Sequence, residues 1–107
     1  MPPHLQKILS ELKQRLRSLY GDKLVKMVLY GSQARGDAVQ DSDLDVLVVL
    51  KDDHLSPSAE ITRTIPDVAE VSLHHDVVIS CVFIPEKRFE HEQSPLLLNV
   101  RREGTVI

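Results

Sequence analysis

Residues 30 to 47 read Tyr-Gly-Ser-Gln-Ala-Arg-Gly-Asp-Ala-Val-Gln-Asp-Ser-Asp-Leu-Asp-Val-Leu, and this stretch restricts the fold more than any other. It joins two short apolar runs, Leu24 to Tyr30 and Val46 to Leu50, of the length and β-branched content of buried strands. The first run ends on Gly31-Ser32 and the second opens on Asp43 and Asp45. Side chains alternate along a strand, so the two acids share a face, with attachment points roughly 6.5–7 Å apart. Unpaired carboxylates at that separation raise each other's pKa and oppose burial. A divalent cation removes the penalty, and hard oxygen ligands suit magnesium. A glycine-serine turn at a strand end, leading into a helical turn, offers backbone N–H groups and a hydroxyl to a phosphate. Carboxylates for a metal beside a cradle for phosphate are the equipment of a nucleotide-handling enzyme.

The flanking segments supply the rest of a single domain, residues 1–107. Leu5, Ile8, Leu9, Leu12, Leu16 and Leu19 recur at helical spacing and predict an amphipathic helix over 4–20, stopped at Gly21. Its Lys and Arg residues read as a solvated face. Residues 58 to about 73 predict a second helix, with Ile61, Ile65, Val68 and Ala69 on its buried face. Pro66 within it predicts a kink or a split into two helices, because an internal proline loses a hydrogen bond and costs roughly 3 kcal/mol. Asp76 to Ile84 predicts a third strand that begins on an acid, with Cys81 as a core residue. His74 and His75 precede it; adjacent strand residues point to opposite faces, so they are expected as surface or core histidines. Residues 85 to 93 predict a polar turn with a short helix anchored by Phe89. Ser94-Pro95 then reads as the N-cap and first turn of a helix over Leu96 to Glu103, with Gly104 as its stop. Strands and helices in this order predict an α/β (α+β) domain with a small mixed sheet of three or four strands flanked by helices. Asp52-Asp53 lies in a polar loop and is assigned no function.

Composition removes several classes. With 13 basic and 16 acidic residues the formal charge is −3, which argues against a protein that coats nucleic acid. A single cysteine excludes an internal disulfide and suits a reducing compartment. No apolar run reaches the roughly 20 residues that span a membrane, and the Met-Pro-Pro-His start has no signal-peptide pattern. The expectation is a cytoplasmic protein with no membrane contact and no stable nucleic-acid binding.

Gly31-Ser32, ten residues, then Asp43-Leu44-Asp45 resembles the signature of the DNA polymerase beta-like nucleotidyltransferases. Gly-Ser-Gln-Ala-Arg-Gly followed by Ser42-Asp43-Leu44-Asp45 is similar, more narrowly, to the minimal nucleotidyltransferase (MNT) antitoxins. The resemblance implies the nucleotidyltransferase fold and a third carboxylate on the strand after the crossover helix, where Asp76 is the matching position. It implies two magnesium ions held by Asp43, Asp45 and Asp76, and ATP as the donor. Gly31 and Ser32 would hold the triphosphate. Arg35 would reach a phosphate oxygen, lie on the surface or pair with Asp37. Ser42 would orient Asp43 or serve only as loop. The implied reaction transfers AMP to a tyrosine hydroxyl of a HEPN ribonuclease toxin. Neutralisation by contact alone, without catalysis, is the competing expectation. Transfer to a small molecule ranks lower, since such enzymes carry an extra helical domain.

Overall fold

The computed structural model describes residues 1–35 and 43–107. In chain order the elements are α1 (Pro3–Tyr20), a 3-10 turn (Gly21–Lys23), β1 (Leu24–Tyr30), α2 (Ser32–Arg35), β2 (Leu44–Leu50), α3 (Pro57–His75), β3 (Ile79–Pro85), α4 (Glu86–His91), α5 (Pro95–Glu103) and β4 (Thr105–Val106). The four strands form one mixed sheet in the order β3-β2-β1-β4. β1 is antiparallel to β2 and to β4, and β2 is parallel to β3. The parallel pair requires a crossover, which α3 supplies.

β2 is buried on both faces, as its unbroken apolar run requires. Leu44, Val46, Val48 and Leu50 face one core, with Met27, Leu29, Ile79 and Phe83 beside them and α1 on top. Leu47 and Val49 face the other, with Val28, Ile84 and the α5 residues Leu97 and Val100. The sheet is therefore sandwiched, α1 and α3 on one side and α4 and α5 on the other.

α1 buries Leu5, Ile8, Leu9, Leu12 and Leu16 as the periodicity predicts, but Leu19 is exposed and Tyr20 is buried in its place. The reason is polar. The Tyr20 hydroxyl donates to Glu60 Oε1 at 2.8 Å, and both groups are buried. That bond also turns α3. Its buried positions are Glu60, Thr64 and Val71, with Val68 partly buried, whereas Ile61, Ile65 and Ala69 are exposed. The expected face is thus displaced by about one residue. The Thr64 hydroxyl donates to Glu60 O at 2.9 Å, which satisfies it inside the helix.

α3 runs as one helix through Pro66. Pro66 and Thr62, whose carbonyl loses its partner, are both exposed, so the group the proline strands lies on the solvent side of the helix. α3 ends at Asp76, in the left-handed region at φ 52°, a conformation aspartate tolerates better than most residues. Its N–H and that of Val77 both donate to Ser72 O. β3 consequently starts at Ile79, three residues later than the apolar run suggests. Ser94 accepts from Leu97 N–H at 3.4 Å and caps α5 as expected. β4, which the sequence pattern does not announce, follows Gly104 and covers the outer side of β1 through Val28 and Leu29. Among the described residues no helix is long and apolar enough to cross a membrane.

Candidate active site

The ends of three strands meet at one edge of the sandwich: the C-terminus of β1 and the N-termini of β2 and β3. Asp45 is the second residue of β2, opposite Tyr30 on β1 and beside Ser80 on β3. It shares the parity of Leu47 and Val49 and so lies on the α4/α5 side. Asp43 immediately precedes β2 and is exposed, while Asp45 is half-buried. Among the described residues neither acid has a hydrogen-bond or salt-bridge partner. Burial first, and then the charge of Asp43, hold the Asp45 carboxyl above the usual aspartate range. The repulsion expected from the Asp-Leu-Asp spacing is therefore present, and nothing described offsets it.

Gly31 joins this pair to the turn. Its φ is +78°, and a Cβ built on it would lie 2.5 Å from Asp45 Oδ2. Glycine is demanded twice here, by the backbone conformation and by the carboxylate packed against the α-carbon. The sequence points to close approach by a phosphate; the structure adds that the nearest approach is from the second acid of the motif itself. Ser32 is the first residue of the one-turn helix α2, and Arg35 N–H closes that turn onto Gly31 O at 3.1 Å. Burial and the charge of Asp45 together raise the Tyr30 phenol above its ordinary pKa.

Arg35 reaches Glu103 at the end of α5, Nη1 to Oε2 at 3.3 Å. This ties α2 to the C-terminal helix, a contact no local pattern reveals. Gly36, Asp37 and Ser42 lie outside the described residues. Asp76 belongs to the C-cap of α3, not to β3. It stands at the same end of the sheet as Asp43, since Leu44 N–H donates to Val78 O at 2.8 Å, two residues beyond Asp76. The three acids Asp43, Asp45 and Asp76 are not drawn into one cluster. Among the described residues the only trio with ligand atoms all within 4.8 Å is Glu11, His74 and His75. Asp52 and Asp53 behave as ordinary loop acids: Asp52 accepts from His54 N–H and Asp53 pairs with Lys87.

The donor set of Asp43 and Asp45 fits a divalent cation. Both are oxygen ligands, both are uncompensated by any described cation, and one is pushed toward its neutral form until positive charge arrives.

Comparison with known proteins bears on the family and the fold. Residues 9–105 match the nucleotidyltransferase domain family. "Putative protein adenylyltransferase MJ0141" of Methanocaldococcus jannaschii is 36% identical over 73 residues, 68% of this chain and 72% of that protein. A second protein of that organism, "Putative protein adenylyltransferase MJ1305", is 33% identical over 97 residues. That match covers 91% of this chain but 56% of the relative, so the chain spans little more than half of that protein. Among solved structures, a toxin-antitoxin crystallised with AMP-PNP superposes with a TM-score of 0.62 at 20% identity, over 89% of this chain and 68% of that one. At that identity the likeness speaks for the fold, the same mixed sheet between helices. The spacing of Gly31-Ser32 and Asp43-Leu44-Asp45, the sheet that brings them together and the family match over residues 9–105 lead to one assignment: the chain belongs to the nucleotidyltransferase domain family.

Proposed function

We propose that the protein is a protein adenylyltransferase that acts as an antitoxin, moving AMP from ATP to a tyrosine hydroxyl of a HEPN-domain toxin in the cytoplasm. The observation that carries the reading is the packing of the Asp45 carboxylate on Gly31, which makes turn and acid one unit. Asp43, Asp45 and Asp76 would hold two magnesium ions, and Gly31 and Ser32 the triphosphate. Magnesium, when bound, would supply positive charge that offsets the charge developing on the phosphate oxygens during transfer. The residues of the chain do the rest. Gly31 lets the donor approach the backbone, and Asp45 is held in place by the turn. Asp76 accepts the proton of the acceptor hydroxyl. The acceptor oxygen forms a bond to the α-phosphorus, the bond from that phosphorus to the bridging oxygen breaks, and pyrophosphate leaves. The AMP-PNP complex of the toxin-antitoxin neighbour supports ATP as donor and a toxin as partner.

One observation favours the contact-only alternative: Asp76 caps α3 and is not gathered with the other two acids. The two readings separate in one experiment. Co-expression with the partner toxin, followed by intact mass measurement, is expected to show an added AMP with the wild-type chain. With Asp43→Asn the adduct and the neutralisation are both lost while the complex still forms. Neutralisation by Asp43→Asn without any adduct would replace catalysis with contact.

A further inference from the structure

His74 and His75 lie in the last turn of α3, where consecutive residues are about 100° apart and not on opposite faces. Both rings turn to the same carboxylate on α1. His75 Nε2 is 2.6 Å from Glu11 Oε2, and His74 Nδ1 is 3.3 Å from the same oxygen. The ring centroids are 4.4 Å apart and tilted by 43°. One residue uses its near nitrogen and the next its far nitrogen, so neighbours in sequence converge on one point. We propose that Glu11, His74 and His75 form a binding site for zinc or a similar borderline transition metal, separate from the carboxylate pair at Asp43 and Asp45.

Three arguments carry it. Two imidazoles and one carboxylate are a zinc ligand set, with the fourth position open to water; nitrogen donors discriminate against magnesium. Zinc bonds of about 2.0–2.2 Å place tetrahedral ligand atoms about 3.3–3.6 Å apart; the three atoms lie within 4.8 Å of one another, His74 Nδ1 is at that spacing from Glu11 Oε2, and the 2.6 Å His75 contact has to open by about 1 Å. The carboxylate is also positioned from behind. Arg15 Nε stands 3.8 Å from Glu11 Oε1, and Arg15 is itself fixed by Asp67 at 3.3 Å and Glu70 at 2.9 Å. Such outer contacts orient a ligand and sustain affinity. His75 and Glu11 are half-buried while His74 is exposed, which leaves an open side for the metal to enter. A bound ion would clamp α1 to the turn that ends at Asp76.

The test is direct titration of zinc into the chelator-treated full chain, read by calorimetry and by thermal unfolding, with cobalt as a spectroscopic probe. One zinc per chain is expected, with a rise in Tm and a tetrahedral cobalt spectrum. Glu11→Gln and the pair His74→Asn with His75→Gln are expected to weaken zinc at least about tenfold, with circular dichroism unchanged. His91→Gln should bind as wild type. Absence of stoichiometric zinc binding overturns the proposal. So does binding that survives the His74/His75 variant but is lost in Asp43→Asn with Asp45→Asn, which would move the zinc to the carboxylate pair. No readout depends on nucleotide transfer, so failure here leaves the proposed reaction standing, and the reverse.

Discussion

At the scale of single residues, Gly31 and Gly21 form a natural experiment. Both have positive φ, +78° and +57°, but only Gly31 has a carboxylate where a Cβ would go; nothing lies within 4 Å at Gly21. Gly21 combines φ 57° with ψ −130°, a backbone region that is essentially glycine's alone, so Gly21→Ala should cost about 1–3 kcal/mol. Gly31→Ala should cost more in denaturant unfolding and should also displace Asp45, abolishing magnesium-dependent ATP binding by calorimetry. Asp45→Asn separates stability from function. It removes a carboxyl held in an unfavourable charged form, so Tm in metal-free buffer should rise while ATP binding with magnesium weakens at least tenfold, about 1.4 kcal/mol. Equal Tm values with and without the substitution would show that the acid carries no penalty. The motif residues were legible in the sequence because their spacing is local. The Arg35–Glu103 pair was not, because it joins residues 68 positions apart that only the packing of α5 brings together.

At the scale of elements, periodicity revealed both helices and the buried face of α1, but not the rotation of α3. On α3 the pattern favours Ile61 and Ile65, which are 48% and 55% exposed, over Glu60 and Thr64, which are buried. A buried acid is readable only once its partner is known, and Tyr20 lies 40 residues away. Tyr20→Phe should therefore cost about 1–3 kcal/mol by denaturant unfolding, because Glu60 loses its donor at a buried site. A cost near zero would mean that Arg63, 3.5 Å from Glu60, suffices alone. The end of α3 was misjudged for a related reason: a left-handed aspartate closes the helix, and hydropathy does not encode that. Strand geometry would send His74 and His75 to opposite faces, whereas in the last turn of α3 both rings reach Glu11. Ser94→Ala should cost about 1 kcal/mol, since the Ser94 hydroxyl accepts from Leu97 N–H and caps α5.

For the molecule as a whole, the α/β class and the crossover were legible, while β4 was too short, at two residues, to leave a pattern. The chain has two tyrosines, and both phenols are raised, Tyr20 by burial and Glu60, Tyr30 by burial and Asp45. A folded pKa above the unfolded value of about 10 means stability that is full below that pH and falls as pH climbs through the folded values. Tyrosinate absorbance should therefore appear together with loss of circular dichroism in one alkaline step, and early ionisation of either ring in folded protein would contradict the burial. The same reasoning turns Cys81 into an instrument. It lies on β3, one of the sheet's two edge strands, in a groove of about 420 Å³ lined by Ile61, Ile65 and Val68 of α3. Cys81 is half-buried there, and desolvation pushes its thiol up to about 12, so labelling of the folded chain should be slow and should speed up when α3 lifts away from the strand. As the chain's single cysteine, its labelling rate becomes a clock for that one opening, and a docked partner or a bound metal that stills the crossover would be seen as the clock slowing.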